Sequence, residues 1–151
     1  DLSLGKAEET KELLNRLHGQ LYLIIGNHDR FHWNTAYATD RFVWMKHYAE
    51  LEDNHRRVVL SHYPMMCYHG QYYRNEKGEA NTYMLYGHVH DTMDQRLIEQ
   101  FQDITRHTVR IDRNGCEVPV PCQMINCFCM YSDYEPLTLD EWIACEQRRG
   151  R

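Results

Sequence analysis

The chain has 151 residues, with 17 Lys and Arg against 22 Asp and Glu, which gives a formal net charge of −5. An apolar share of 42% is ordinary for a globular domain, and 12% aromatic residues exclude a disordered chain. The mild acidity argues against an extended nucleic-acid surface, which would need a basic stripe. The longest apolar run, Leu21 to Ile25, is too short to span a bilayer. We therefore expect a soluble protein without membrane contact.

The six cysteines and the lack of a secretory pattern at the first residues favour a cytoplasmic protein with reduced thiols. Four of them are clustered between residues 116 and 129: Cys116, Cys122, Cys127 and Cys129. Their spacings differ from the C-x2-C of a zinc ribbon, so we expect small buried thiols on strands. A cysteine-rich zinc-binding interaction module is the alternative for this region.

The first half of the chain predicts one helix and three strands. Leucines on one face predict a helix over residues 6–17, and the apolar run that follows predicts a strand over 20–25 that is buried on both faces. Two further runs, over 47–52 and 57–61, predict strands joined by a turn at Asp53 and Asn54. The mixed aromatic segment over 31–46 shows no clean period.

The second half predicts a mixture of helices and short strands. A polar loop over 69–81 precedes a strand over 82–86, and a helix is expected over 94–105. Strands and turns should fill 107–134, before a terminal helix over 137–147 that is capped by Thr138. Because no repeat or linker interrupts the pattern, we expect a single α/β domain over residues 1–151.

Residues of the kinds that bind metals follow three of the predicted strands. Asn27 and His28 come after the first strand, His62 follows the hairpin, and His88 and His90 follow the strand over 82–86. In layered α/β folds, side chains converge at the carboxyl ends of strands. Imidazole, amide and carboxylate ligands suit Zn, Mn, Fe or Co, and an amide among them favours a catalytic site over a structural zinc site.

The order of residues inside these loops adds three expectations. On an extended segment, His88 and His90 would point to the same side about 6–7 Å apart, which suits two neighbouring metals. Gly26 and Gly87 would let the backbone approach a metal or a phosphate closely. Asp29 follows a histidine and would hold its tautomer.

Three blocks of the chain resemble, in order and in spacing, the last three blocks of the calcineurin-like metallophosphoesterase family. They are Gly26-Asn27-His28-Asp29, Ser61-His62-Tyr63-Pro64 and Gly87-His88-Val89-His90. Residues 134–141, YEPLTLDE, are similar to the end of small single-domain bacterial and phage members, so the resemblance covers nearly the whole chain. The opening DLSLG resembles the residues that follow the glycine of the family's second block, a Gly-Asp, which would make Asp1 the carboxylate that bridges both metals. The Asp-x-His of the first block would lie upstream of Asp1.

The resemblance implies a two-sheet β-sandwich flanked by helices, in four α/β/β/α layers, that lacks its first strands. It implies an enzyme, a hydrolase that acts as a phosphodiesterase or phosphomonoesterase on a small phosphoester or nucleotide-type substrate. Two divalent metal ions, Mn, Fe, Ni or Zn, would hold the hydroxide that attacks phosphorus. Without the Asp-x-His pair, this chain is expected to bind at most one metal well and to hydrolyse slowly.

The resemblance also assigns roles to individual residues. One metal would be bound by Asp1, Asn27, His62 and His88, and the other by His90 together with Asp1. His28, oriented by Asp29, would be the catalytic group that protonates the leaving oxygen or steadies the phosphoryl group. Asn27 and His28 would contact the substrate. From its place in the loop after the second block, His69 is a further substrate-binding candidate.

A non-catalytic binding or scaffold module on the same fold is the alternative function. The substrate, the native metal and the oligomeric state stay open at this stage, because the metal chemistry of phosphomonoesters, phosphodiesters and nucleotides is shared.

Overall fold

A computed structural model describes residues 1–29 and 39–150, and these residues form a mixed α/β fold. Three α-helices lie within the described ranges: α1 (Ala7–Arg16), α2 (Met93–His107) and α3 (Leu139–Arg148). Short 3-10 helices span Thr39–Arg41 and Cys129–Ser132. The α/β class expected from the sequence is confirmed.

The described strands form three sheets. They are β1 (Leu21–Ile24), β2 (Phe42–Lys46), β3 (Tyr48–Asp53), β4 (Arg56–Ser61), β5 (Thr82–Tyr86), β6 (Val109–Ile111), β7 (Glu117–Pro119) and β8 (Met124–Asn126). The largest sheet has the order β3-β4-β5-β8, with β4, β5 and β8 parallel and β3 antiparallel to β4. β1 pairs with β2 in parallel, and β6 pairs with β7 in antiparallel fashion.

The four-stranded sheet is covered on both faces by helices. Because side chains alternate along a strand, neighbouring residues enter different clusters. Val59 and Met84 face one cluster with Phe101 of α2, whereas Val58 and Ile125 face another with α3. A sheet buried on both faces is the usual setting for parallel strands.

Most of the predicted elements are present with shifts of one or two residues at their ends. The strand over 82–86 matches β5, and Thr138 caps α3 in a capping box with Glu141. The prediction that β1 is buried on both faces is wrong, because Tyr22 is 49% exposed and its ring packs beside Trp44 of β2. The end of the mixed aromatic segment forms β2, and residues 31–38 of it lie outside the described residues.

The cysteine prediction holds in part. Cys122 is buried and Cys127 is half-buried, but Cys116 and Cys129 are exposed. None of these four cysteines lies on a strand, so that part of the prediction is wrong. All four are free thiols. In the described ranges, no helix combines the length and the apolar composition that crossing a membrane requires.

Met84, on the central strand β5, tests this packing. Met84→Ala should lower the free energy of unfolding by about 2–5 kcal/mol, because the fully buried side chain leaves a cavity between the sheet and α2. Denaturant unfolding measures the change. Met66→Ala is the matched control: its side chain is 55% exposed, and a change within about 0.5 kcal/mol is expected. Similar losses in the two variants would contradict this account of the core.

Candidate metal centre

The loops that follow β1, β4 and β5 meet at one edge of the fold. β4 and β5 are parallel, so they deliver His62 and the Gly87-His88 segment at the same end. The Gly87 N–H donates to the His62 carbonyl over 3.0 Å, which ties these two loops together. The loop after β1 brings Asn27 to the same place. The convergence expected at strand ends is thus present for these three loops.

Three side-chain atoms of these loops come close together. Asn27 Oδ1 lies 2.8 Å from His62 Nε2 and 2.9 Å from His88 Nδ1. The two ring nitrogens are 3.2 Å apart. We refer to Asn27, His62 and His88 as the donor set, where donor means an atom with a lone pair that could be offered to a cation and not a hydrogen-bond donor.

Hydrogen bonds cannot satisfy all three pairs of the donor set. The amide oxygen only accepts, and each ring nitrogen carries at most one proton. If both nitrogens carry a proton, two donors face each other. If either nitrogen lacks its proton, it faces the amide oxygen as a second acceptor. A cation between the three atoms removes the conflict, because each atom can then offer it a lone pair.

The separations within the donor set fit the ligands of one ion. Atoms bound at about 2.0–2.1 Å and at angles of roughly 90–110° lie about 2.9–3.4 Å apart. The observed separations run from 2.8 to 3.2 Å. Asp1 Oδ2 lies 3.6 Å from His62 Nε2, so a carboxylate oxygen stands next to the set.

The amide of Asn27 supplies the only oxygen atom of the donor set. Among residues 1–29 and 39–150, no three His, Cys, Asp or Glu side chains form a group that could hold a metal ion. Two imidazoles therefore act with the oxygen of Asn27 rather than with a second carboxylate. The structure thus brings together two ring nitrogens and one amide oxygen.

His90 stands apart from the donor set. Its ring stacks on Phe128 with centroids 4.8 Å apart and an interplanar angle of 15°. The expectation of an extended segment here is wrong, because His88 has φ +64° and His90 has φ +48°. Two left-handed residues bend the chain, so the i, i+2 rule for strands does not apply to these imidazoles.

Asp29 holds the backbone of the site. It is fully buried, and its carboxylate accepts the N–H groups of Leu2 over 2.7 Å and Gly26 over 2.8 Å. Asp1 Oδ1 accepts the backbone N–H of His28 over 2.9 Å. These bonds fasten the first residues to the loop after β1, a role of Asp29 that the sequence pattern did not indicate. His28 itself is exposed beside the donor set.

His62 is buried against other rings. Its centroid lies 5.0 Å from both Tyr63 and His88, and Tyr63 lies 4.4 Å from His88. Burial lowers the pKa of His62 to about 4. At neutral pH this imidazole is uncharged and keeps a lone pair on one nitrogen.

His69 lies at the other end of β4. Its Nδ1 is 2.8 Å from Glu50 Oε2 and 2.7 Å from an Arg57 guanidinium nitrogen. Arg57 stands at the start of β4 and His62 follows its end, which separates them by about 16 Å at the rise of a strand. The structure does not bring His69 to the donor set.

Comparison of the chain with protein-family models, curated proteins and solved structures finds no match. A mixed α/β fold alone carries no function. What bears on function is therefore the chemistry of the converging loops.

Gly26 and Gly87 differ in the space that they leave. A Cβ on Gly26 would lie 2.1 Å from Asp1 Oδ1 and 2.8 Å from His62 Cε1, whereas one on Gly87 would meet nothing closer than 3.9 Å. The close approach expected at both glycines is therefore required at Gly26 alone of the two.

We expect Gly26→Ala to displace Asp1 and the His62 ring and to lower the melting temperature. Gly87→Ala, the control, should change neither. Imidazole ¹⁵N shifts of His62 and thermal unfolding measure the two effects. A Gly26→Ala protein with wild-type His62 shifts would show that the loop after β1 is not packed as described.

Proposed function

We propose that this chain acts in metal-dependent hydrolysis of phosphate esters. The observation that carries the proposal is the convergence of Asn27 Oδ1, His62 Nε2 and His88 Nδ1 within 2.8–3.2 Å. Hydrogen bonds cannot satisfy all three pairs of these atoms at once. Two imidazoles and an amide suit Mn, Fe, Ni or Zn. The metallophosphoesterase resemblance assigns these same three residues to one metal.

The donor set would hold one divalent cation, which supplies Lewis-acid chemistry: it polarises a phosphoryl oxygen and lowers the pKa of a water. Asn27, His62 and His88 bind, and the Asp1 carboxylate adds negative charge 3.6 Å from His62 Nε2. The tie between the His62 carbonyl and the Gly87 N–H keeps the two imidazoles at their mutual distance. Preorganised ligands of this kind reduce the reorganisation that binding requires.

His28 is the candidate general acid. Its backbone N–H is fixed by Asp1 Oδ1, and it follows Asn27 directly, so its exposed imidazole starts from the edge of the donor set. An imidazolium suits protonation of a departing alkoxide or a hydrogen bond to a phosphoryl oxygen. Asp29 supports this by holding the loop through the Gly26 N–H.

The proposal includes the finer expectations that follow from the resemblance. These are the four-layer α/β/β/α sandwich, a second ion on His90 and Asp1, and a small phosphoester or nucleotide-type substrate. Binding of a second ion would require the His90 imidazole to leave Phe128, on which it stacks. The same stacking favours the second candidate, a non-catalytic binding module that holds one ion without turnover.

Metal binding is the first test. Mn²⁺ or Zn²⁺ at 100 times its dissociation constant should stabilise the chain by about 2.7 kcal/mol, because the ion binds the folded state. The shift in melting temperature measures this, and Asn27→Ala or His62→Ala should abolish it. His107→Ala, at an exposed side chain on α2, is the control and should keep it. A full shift in His62→Ala would place the ion elsewhere.

Turnover is the second test. With Mn²⁺, the chain should slowly hydrolyse bis(p-nitrophenyl) phosphate, and His28→Ala should lower kcat by about 10²–10⁴ while the metal-induced rise in melting temperature stays. p-Nitrophenolate release measures the rate, again with His107→Ala as control. Wild-type turnover in His28→Ala would remove the acid role. Metal binding without any turnover would favour the binding module.

A further inference from the structure

We propose that Asn126 is a positioning residue, which holds the turn after β5 in the shape that places His88 in the donor set. This inference rests on the proposed function, since the position of His88 matters most if the set binds a cation. Asn126 belongs to none of the motif blocks, and it ends β8 beside Tyr86, its partner in register at the end of β5.

Asn126 reaches the turn through its side-chain nitrogen. The residue is 0% exposed, and Nδ2 donates to the His90 carbonyl over 2.8 Å and to Gln95 Oε1 over 2.8 Å. Both partners are acceptors, so the nitrogen of the amide must face them. The Tyr86 hydroxyl donates to the same Gln95 oxygen over 2.9 Å, which fixes the orientation of Gln95 in turn.

The turn needs such support because its backbone is strained. His88 and His90 both have positive φ, +64° and +48°, a conformation that is strained for residues other than glycine. Such residues persist where surrounding contacts hold them. The Thr92 hydroxyl holds the Val89 carbonyl over 2.7 Å from within the same segment, and Asn126 holds the His90 carbonyl from a different strand.

Stability alone does not account for an asparagine at position 126. Its Oδ1 is buried without a hydrogen-bond partner in the part of the chain that the structure describes, and an unsatisfied buried acceptor is destabilising. The hydrogen bond from Asn126 Nδ2 to the His90 carbonyl gives a reason for an amide at this buried position. If that bond is lost, the turn can relax towards negative φ, and His88 Nδ1 then leaves its position 2.9 Å from Asn27 Oδ1.

Asn126→Asp tests the role, because it keeps the shape of the side chain and replaces the donating nitrogen with an oxygen. The matched control is Gln102→Ala. Gln102 is also buried, and its Oε1 accepts the N–H of Met124 at the opposite end of β8 over 3.3 Å. Both variants should lower the melting temperature, so stability alone does not separate them.

Two measurements separate a positioning role from a structural one. Without metal, Asn126→Asp should move the imidazole ¹⁵N resonances of His88 and speed amide exchange at Val89, whereas Gln102→Ala should change neither. With Co²⁺ as the probe, Asn126→Asp should raise the dissociation constant at least tenfold. Gln102→Ala should stay within about twofold of the wild type, well below the tenfold step that corresponds to about 1.4 kcal/mol. If Asn126→Asp does not fold, Asn126→Ser replaces it in both measurements.

The outcomes distinguish this inference from the proposed function. Equal effects of the Asn126 and Gln102 variants on His88 would overturn the positioning role. Co²⁺ binding by a wild type that hydrolyses no phosphoester would refute the enzyme and leave the role of Asn126 standing. If the wild type binds no Co²⁺, the proposed function fails, and the metal-free measurements on His88 and Val89 still decide the role of Asn126.

Discussion

Parallel pairing of β4, β5 and β8 is the constraint on which the rest of the structure depends. Helices cover both faces of this sheet, and one apolar cluster packs on each face. This packing fixes the parallel arrangement of the three strands. Because the three strands point the same way, the residues that follow or end them share one edge. His62 and His88 meet there, and Asn126 reaches the His90 carbonyl in the same turn.

The donor set also connects two sheets. Asn27 follows β1 in the two-stranded sheet, while its partners follow strands of the four-stranded sheet. Without a cation, this connection includes one pair of like groups, two donors or two acceptors, whichever protons the rings carry. With a cation, all three atoms become ligands of one centre. The same event would thus complete the site and strengthen the contact between the sheets, which is why stability and function should change together on metal binding.

The two ends of β4 show how differently polar groups are treated. At its start, Glu50 and Arg57 form an ion pair, and the His69 ring lies against both side chains. At its end, the structure accepts left-handed backbone at His88 and an unpaired amide oxygen on Asn126. Strain of this kind is found where surrounding contacts over-determine a functional geometry.

Local sequence by itself determined the α/β class, the strand over 82–86 and the helix capped by Thr138, because periodicity and capping depend on neighbours in the chain. It also placed ligand-type residues after three strands. Tertiary structure decided which of them meet: His90 packs on Phe128 instead of joining the set, and Asp29 turned out to bind backbone N–H groups. The hydrogen bond from Asn126 to the His90 carbonyl could not be predicted from the sequence either, because a contact between residues 36 apart leaves no periodic signal.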